Sequence, residues 1–230
     1  MNFVFDLYGT LIDILTDEST VEFWHGIASL LGVDISEANN LKEEYEALCT
    51  DKVKFEDHEI ELLEVFEDMV RLHGAKISAA ELAKEFRNMS IIRRCLFPHV
   101  KEILSTLHKK GAGVYLLSNA QSCFTRFELD LLGLTDLFDG ILLSSDESVK
   151  KPLSEIFQRA FSRFGISAKD SVYVGNDRRD DIFGAHGVGM RTVYIETEQS
   201  REYNMPLPDP DFKSKDHCEL KSILISLCDK

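Results

Sequence analysis

The sequence lacks the features that mark membrane proteins, secreted proteins and thiolate metal sites. No apolar run approaches the roughly 20 residues of a membrane-spanning helix, so no membrane partner is expected. No basic segment followed by an apolar core opens the chain, which predicts a protein without a secretory signal. The five cysteines are odd in number and lack the spacing of metal sites, which indicates reduced thiols. These absences together predict a cytoplasmic protein.

Positive charge is also scarce. The chain has 26 Lys and Arg residues against 40 Asp and Glu residues, which gives a formal net charge of −14. Nucleic acids and anionic lipids are bound by positive surfaces, so neither is expected as a partner. The length of 230 residues allows one large domain, or a core with a smaller inserted domain. We expect a monomer or a homodimer.

The chain has a helical texture from residue 16 to residue 95, where apolar residues recur at the helical period. Four helices are predicted there: one ending at Gly32, then about 36–49, 56–73, and one from Ser78. The candidate N-caps of the first helix are Thr16, Asp17 and Ser19. Ser78 is followed three residues later by Glu81, the pattern of a capping box. Phe23 and Trp24 are expected in the core of this helical block; the alternative is that they line a pocket together with His25.

The rest of the chain alternates short strands with helices. Runs rich in Val, Ile, Leu and Tyr predict strands at 2–5, 113–119, 140–145, 171–176 and 191–196. Helical stretches are predicted at about 99–110, 121–132, 153–165, 179–187 and 217–228, and a short strand follows the loop 206–212. This alternation is typical of parallel βαβ units covered by helices on both faces.

The predicted fold is therefore α/β, a doubly wound parallel sheet of Rossmann-like type with an inserted α-helical domain. We expect residues 1–14 and 96–230 to form the core domain, and residues 15–95 to form the insert. In such sheets, ligands bind at the carboxyl ends of the strands.

Polar side chains follow four of the predicted strands at that edge. They are Asp6, the pair Ser118 and Asn119, the pair Lys150 and Lys151, and the acid-rich loop from Asn176 to Asp181. Polar residues end many strands, so each one alone is a weak signal. All four together, in a fold that binds ligands there, predict an active site.

The stretches that carry these residues resemble the motifs of the haloacid dehalogenase-like hydrolase superfamily. They are "FDLYGTL" (5–11), "LLSNA" (116–120), "KKP" (150–152) and "YVGNDRRDDIFGA" (173–185), in that order. The helical insert resembles the four-helix cap that the family places over its active site. The resemblance covers nearly the whole chain, and it implies a hydrolase that acts on a small anionic substrate.

The resemblance implies a role for each matching residue. Asp6 would be the carboxylate nucleophile that forms a covalent aspartyl intermediate, a role that its position at a strand end also supports. Thr10 would hydrogen-bond a carboxylate or a substrate anion. Ser118, with backbone amides near Asn119, would bind the oxygens of the transferred group.

Two charged residues complete the implied site. Lys151, the residue directly before the proline, would neutralise the charges of the nucleophile and the substrate; Lys150 is its rival for this role. Asp181 would support a metal-bound water or orient the lysine.

Tyr8 departs from the phosphatase pattern of the family, which usually has a second aspartate there as proton donor. A phenol with an ordinary pKa near 10 is a poor acid–base catalyst at neutral pH. The dehalogenases of the family do read D-x-Y-G-T, and a halide leaves without a proton. Tyr8 therefore favours a good leaving group, such as a halide, an acyl phosphate or an activated ester. The alternative is that Tyr8 only packs and turnover is slow or absent.

Asn176 is the second departure, because family phosphatases usually have an aspartate that binds Mg²⁺ at this position. An amide oxygen can still bind a hard cation, and Asp177 could take its place. We predict a weakly bound Mg²⁺ at Asp6, the Tyr8 carbonyl, Asn176, Asp177 and Asp181. Asp180 is interpreted as a solvated acid at a helix start.

Three functions remain open from the sequence. A Mg²⁺-assisted phosphohydrolase of a small phosphorylated metabolite is the leading hypothesis. A metal-independent 2-haloacid dehalogenase would need an arginine from the insert; residues 14–70 contain none, and Arg71, Arg87, Arg93 and Arg94 come late, after the first helix that is expected to face the substrate. The third hypothesis is a weakly active or non-catalytic binding module, since a fold does not fix a function.

Overall fold

Six parallel strands form the central sheet of the computed structural model, which describes residues 1–55 and 58–229. The strands of the chain are β1 (Asn2–Phe5), β2 (Ile12–Thr16), β3 (Ile91–Leu96), β4 (Gly113–Ser118), β5 (Gly140–Leu143), β6 (Ser171–Gly175), β7 (Arg191–Ile195) and β8 (Phe212–Ser214). The order in the sheet is β5-β4-β1-β6-β7-β8, so β1 lies between β4 and β6. The predicted doubly wound α/β fold is confirmed.

Helices connect and cover these strands. They are α1 (Val21–Leu31), α2 (Ala38–Lys52), α3 (Leu62–His73), α4 (Ala79–Ser90), α5 (Val100–Lys109), α6 (Ser122–Leu132), α7 (Ser144–Glu147), α8 (Ser154–Phe164), α9 (Gly184–Gly187) and α10 (His217–Cys228). A π-helical segment, Arg178–Phe183, precedes α9. The helix predicted at 179–187 is thus a π-helical turn followed by a short α-helix. None of the described helices is long and apolar enough to cross a membrane.

The insert between β2 and β3 contains α1 to α4 and has an apolar core of its own. Phe23 and Trp24, each 4% exposed, belong to that core, as predicted. The N-cap of α1 is Thr20, whose hydroxyl accepts the Phe23 N–H at 3.3 Å, so all three predicted caps are wrong. The reason is local: the strand β2 extends to Thr16, and α1 begins only at residue 21.

Two other predictions concern the starts of helices in the insert. The capping box of Ser78 and Glu81 is confirmed at the start of α4. The third helix begins at Leu62, later than the predicted residue 56. Residues 56 and 57, on which that prediction also falls, lie outside the described residues.

A two-stranded antiparallel sheet joins the insert to the core. In this stem, β2 pairs with β3 in a register that places Ile12 opposite Leu96 and Ile14 opposite Arg94. The prediction of helical structure through residue 95 is therefore wrong. The strand pairing that overrides it comes from residues about eighty positions earlier, which local periodicity does not reveal. The domain division at residues 15 and 95 stays a prediction.

Candidate active site

The chain turns sharply after β1, and this turn places Asp6 at the carboxyl end of the strand. The Leu7 carbonyl accepts backbone N–H groups from three residues of the turn, at 2.7, 2.9 and 3.2 Å. Gly9 has a φ of +82°, which favours glycine. A Cβ atom on Gly9 would lie 2.3 Å from the Asn176 amide nitrogen, so backbone conformation and space both exclude a side chain here.

Asp6 is buried, and its two carboxylate oxygens have different surroundings. Oδ1 accepts hydrogen bonds from Ser118 Oγ at 2.9 Å and from Lys151 Nζ at 2.8 Å. Oδ2 accepts a longer bond from Thr10 Oγ1 at 3.3 Å. The structure thus brings four residues that the sequence predicted into one site, with Oδ1 held firmly and Oδ2 held weakly.

Lys151, and not its neighbour Lys150, is the lysine of the site. Its side chain is 2% exposed, and Nζ lies 2.6 Å from Asp181 Oδ1, 2.7 Å from the Tyr173 hydroxyl and 2.8 Å from Asp6 Oδ1. Burial alone would lower the pKa of Lys151, but the carboxylates of Asp181 and Asp6 outweigh it and raise that pKa well above its ordinary value. The ammonium group is therefore charged and shared between two carboxylates.

Asn119 contacts the backbone of Lys151 with both ends of its amide. Its Oδ1 accepts the Lys151 N–H at 2.8 Å, and its Nδ2 donates to the Lys151 carbonyl at 3.0 Å. This pair of bonds ties the end of β4 to the loop that carries the lysine. The Asn119 side chain is therefore placed to position Lys151, and the role predicted for the backbone amides near it stays a prediction.

The π-helical segment determines the orientation of the acidic side chains in the stretch 173–185. Asp177 caps the segment, since its Oδ1 accepts N–H groups from Arg179 at 2.9 Å and Asp180 at 2.8 Å. The Tyr203 hydroxyl lies within 2.9 Å of both Asp177 oxygens. The Asp177 carbonyl accepts the Ile182 N–H at 3.1 Å, five residues on, and the wider turn accommodates one more residue than an α-helical turn.

Asp181 leaves this turn toward the lysine and is fully buried. Its Oδ2 accepts the Asp177 N–H at 2.9 Å, and a Cβ atom on Gly175 would lie 2.3 Å from the same oxygen. Burial, followed by the Asp6 carboxylate, raises the pKa of Asp181 to about 7 against the opposing charge of Lys151. The arrangement fits the predicted role of orienting the lysine.

The interpretation of Asp180 as a solvated acid is wrong. Its side chain is only 18% exposed and lines the same pocket as Asp6. Burial, with the nearby Asp177 carboxylate, raises its pKa. The extra residue of the π-helical turn brings Asp180 inward together with Asp181.

Two of the predicted metal ligands have other partners. Asp177 binds backbone N–H groups and Tyr203, and Asp181 binds Lys151. Across residues 1–55 and 58–229, no group of three or more His, Cys, Asp or Glu side chains is placed to hold a metal ion. Asp6 Oδ2 and Asn176 Oδ1 do converge, because both accept from the Thr10 hydroxyl, at 3.3 and 3.1 Å. Oxygen donors of this kind fit Mg²⁺, with one carboxylate only.

The Tyr8 hydroxyl belongs to an ionic cluster between the core and the insert, and Tyr8 also lines the same pocket as Asp6. The hydroxyl donates to Glu128 on α6 and contacts Thr125 Oγ1 at 2.9 Å. Glu128 also binds Arg87 of α4 at 2.8 Å and Arg94 of β3 at 3.3 Å. Burial, and then the Glu128 charge, raises the pKa of Tyr8. The tyrosine therefore keeps its proton and fastens the turn after β1 to α6.

A pocket of about 350 Å³ opens above Asp6. Two of its lining residues, Gln199 and Arg201, were not predicted; they belong to the loop after β7. Gln199 Nε2 donates to Asp13 Oδ1 at 2.8 Å, and Thr197 Oγ1 donates to the Gly9 carbonyl at 2.9 Å. These bonds hold the loop over the site, and no local sequence pattern predicts them.

Comparison with known proteins gives curated relatives of similar sequence and solved structures of similar fold. The chain is 33% identical over 107 residues to ribulose-1,5-bisphosphate 5-phosphatase from Halopiger xanaduensis, covering 46% of this chain and 45% of that one. The chain spans about half the length of the curated relatives it matches. Among solved structures, a HAD phosphatase from Thermococcus onnurineus matches 97% of both chains with a TM-score of 0.64 and 24% identity. A 2-haloacid dehalogenase from Pseudomonas syringae matches 99% of both with a TM-score of 0.66 and 22% identity.

The structural matches show a shared fold with phosphatases and dehalogenases alike. The model of one protein family matches residues 1–189, which contain the turn after β1, the lysine loop and the π-helical segment. That family is described as hydrolases, the haloacid dehalogenase-like hydrolases. This match covers well over half of the chain, and the chain therefore belongs to the haloacid dehalogenase-like hydrolases.

Proposed function

We propose that the protein is a phosphohydrolase of a small phosphorylated metabolite and acts through a covalent aspartyl-phosphate on Asp6. The observation that carries the proposal is the Asp6 carboxylate, with one oxygen fixed by Ser118 and Lys151 and the other nearly free above a small polar pocket. The curated relatives support the reaction class, since they are named as phosphatases of sugar phosphates, phosphoserine and phosphoglycolate.

The reaction has two displacement steps at phosphorus. Asp6 Oδ2 attacks the phosphorus atom, and the bond from phosphorus to the ester oxygen breaks with its electron pair on the leaving group. Water then attacks the same phosphorus, which releases phosphate and restores the carboxylate. Lys151 and Ser118 hold Oδ1 throughout and balance part of the negative charge that collects at the pocket.

The leaving group departs without help from Tyr8. That hydroxyl is engaged with Glu128 and Thr125, and its raised pKa keeps it protonated. We therefore propose that the substrate has a good leaving group, such as an acyl phosphate or an activated ester, as the sequence suggested.

The charges of the site support a requirement for Mg²⁺. Lys151 is shared by Asp6 and Asp181, so the three groups together carry a net negative charge before any substrate binds. At an effective dielectric of about 20, each pair of like unit charges about 4 Å apart costs roughly 4 kcal/mol. Asp6, the Tyr8 carbonyl and Asn176 would hold the ion, and it would supply the missing positive charge. One carboxylate ligand implies weak binding.

The test compares two substrates with and without metal. p-Nitrophenyl phosphate and L-2-chloropropionate are each assayed with Mg²⁺ and with EDTA, using the native protein and Asp6→Asn. We expect phosphate release with Mg²⁺ only, and none from Asp6→Asn, whose thermal unfolding should stay close to that of the native protein. Chloride release unaffected by EDTA would instead establish a dehalogenase, and silence in all assays would indicate a binding module.

A further inference from the structure

A second cavity, of about 530 Å³, adjoins the pocket above Asp6. It lies between β7 and the loop that follows it, and Arg201 lines both cavities. Arg201 therefore stands at the boundary of the two cavities, within reach of a ligand in either.

The second cavity has three cationic side chains in its lining, although the protein as a whole is strongly acidic. Arg178, Arg201 and Lys213 line it together with two exposed glutamates, Glu196 and Glu202. Another carboxylate, Asp209, lies 3.7 Å from both Arg178 and Lys213, but it is 86% exposed. Arg201 and Lys213 are exposed like these carboxylates, so solvent screens both signs, whereas the Arg178 side chain is only 23% exposed.

Arg178 is held rigidly in the wall of this cavity. One guanidinium nitrogen donates to the Pro208 carbonyl at 2.8 Å, and the guanidinium carbon lies 5.7 Å from the centre of the Tyr194 ring. Its Nε is buried, and among the described residues it is the buried side-chain donor without a hydrogen-bond acceptor. A buried donor without an acceptor is costly, and native structures leave few of them.

Arg201 joins the two cavities. It lines the second cavity together with Tyr203, whose hydroxyl binds Asp177. In the described part of the chain, no carboxylate lies within 4 Å of the Arg201 guanidinium nitrogens. Lys151, the other cation of the first pocket, is already shared by two carboxylates. Arg201 thus has donors for an added anion.

We infer that the substrate carries a second anionic group, and that Arg201 and Arg178 bind it in this second cavity while the phosphoryl group lies at Asp6. The inference rests on the proposed phosphohydrolase function and narrows its substrate to phosphate esters with a second phosphate or a carboxylate. Planar guanidinium groups suit both, since they offer paired N–H donors to two oxygens. The loop after β7 then contributes to substrate specificity, as does the insert.

The experiment uses inhibitors of p-nitrophenyl phosphate hydrolysis, so that their own turnover is not required. Linear alkanediol bisphosphates of increasing length are compared with alkyl monophosphates of the same length, in the native protein, Arg201→Gln and Arg178→Gln. Arg191→Gln, at the opposite end of β7, is the matched control. We expect one bisphosphate length to inhibit at least about tenfold more strongly than its monophosphate, which corresponds to about 1.4 kcal/mol.

Arg201→Gln should weaken inhibition by the bisphosphate more than inhibition by the monophosphate and so remove most of that preference, whereas Arg191→Gln should change neither. Arg178→Gln loses a backbone contact, so its thermal unfolding is measured alongside. Bisphosphates without an advantage at any length, a preference that survives in Arg201→Gln, or bisphosphate binding that does not compete with p-nitrophenyl phosphate would each overturn the inference. Absence of p-nitrophenyl phosphate hydrolysis would instead count against the proposed function, and calorimetry would then measure the same affinity difference directly.

Discussion

Tyr8 shows how a single residue can be recognised as unusual from sequence and still be misjudged in its contacts. The sequence shows that the usual second aspartate is missing, and the structure shows where the phenol goes instead. Its hydroxyl binds a fully buried glutamate, Glu128, and the Arg87 guanidinium lies 5.5 Å from the centre of its ring. Tyr8 thus bonds α6 of the core and contacts Arg87 of the insert, with its hydroxyl engaged by Glu128 and Thr125.

We expect the rate to depend strongly on the leaving group, because no proton comes from Tyr8. The native protein should cleave acetyl phosphate or p-nitrophenyl phosphate much faster than an alkyl phosphate. Tyr8→Asp should reduce the difference in rate between the two kinds of substrate by supplying a proton donor, and Tyr8→Phe should leave that difference unchanged. Steady-state rates on the substrate pair measure this, and equal native rates on both substrates would contradict it.

The sequence predicts the positions of some site residues better than those of others. Asp6, Ser118 and Lys151 each end a strand or precede a proline within a specific motif, so their convergence was predictable. Arg201 lies in a loop without such a motif, and only tertiary folding brings it to the pocket. The positioning contact of Asn119 with Lys151 also depends on the distance between two separate loops.

At the scale of elements, α6 is the part of the core that holds the insert. Glu128 on α6 receives hydrogen bonds from α4, β3 and the turn after β1, through Arg87, Arg94 and Tyr8. Since the carboxylate is fully buried, removing it leaves two guanidinium groups and a hydroxyl without their partner.

Glu128→Ala should therefore lower the free energy of unfolding by about 3–5 kcal/mol, the usual cost of breaking a buried ion pair. Arg126→Ala is the matched control, because it lies on the same helix, is 61% exposed and pairs with Asp146 at the surface. That control should change the free energy by at most about 0.5 kcal/mol. Urea unfolding measures both, and similar values would show that the cluster does not fasten the insert.

The helix α10 binds the turn that carries the nucleophile. His217 at its start bonds the Thr10 carbonyl at 2.8 Å, and its ring stacks on Phe97 with centroids 4.7 Å apart. Burial lowers the pKa of His217, against the opposing effects of the Thr10 carbonyl and Asp216. The unfolded chain therefore takes up this proton more readily than the folded protein does.

It follows that His217 contributes stability above its unfolded pKa of about 6.5, and that this contribution is lost as the pH falls below that value. His217→Gln keeps a donor for Thr10 and cannot titrate. The free energy of unfolding should fall more steeply from pH 7 to pH 5 in the native protein than in the variant. Parallel curves from urea unfolding across this range would show that His217 is not responsible.

Among the elements, local sequence signals predicted the helices and sheet strands well and failed where a partner decides the structure. The capping box at Ser78 is a local signal and was found. The strand β3 exists because β2 pairs with it. The π-helical turn arises because Asp177 caps it while Asp181 reaches Lys151, a geometry that no helical period encodes.

At the scale of the whole molecule, the cores of the insert and the sheet meet at α6. Phe124 of α6 belongs to the insert's apolar core, where its ring stacks with Phe86 at a centroid distance of 6.2 Å. Trp24, the single tryptophan of the chain, lies in the same core. Its fluorescence therefore reports on the insert, while far-ultraviolet circular dichroism reports on the whole chain.

We expect the two signals to follow one urea transition in the native protein, because unfolding the insert would expose Phe124 and break the Glu128 cluster. Phe124→Ala should separate them, with fluorescence changing at lower urea than circular dichroism. Separate transitions in the native protein would show that the two cores unfold independently.

The position of β1 in the middle of the sheet also bears on how the protein is made. Its neighbours in the sheet begin at residues 113 and 171, so the strand that precedes the nucleophile is synthesised long before either of them. At about 5–20 residues per second, the wait for the second neighbour is on the order of 10 s. Until β4 is made, the apolar β1 of the nascent chain has two open edges, and one edge stays open until β6 is made, while the helices of the insert can already form. A chaperone that binds short extended apolar segments would find its target at residues 2–5, and catalytic activity begins only once β6 and the turn behind it have left the ribosome.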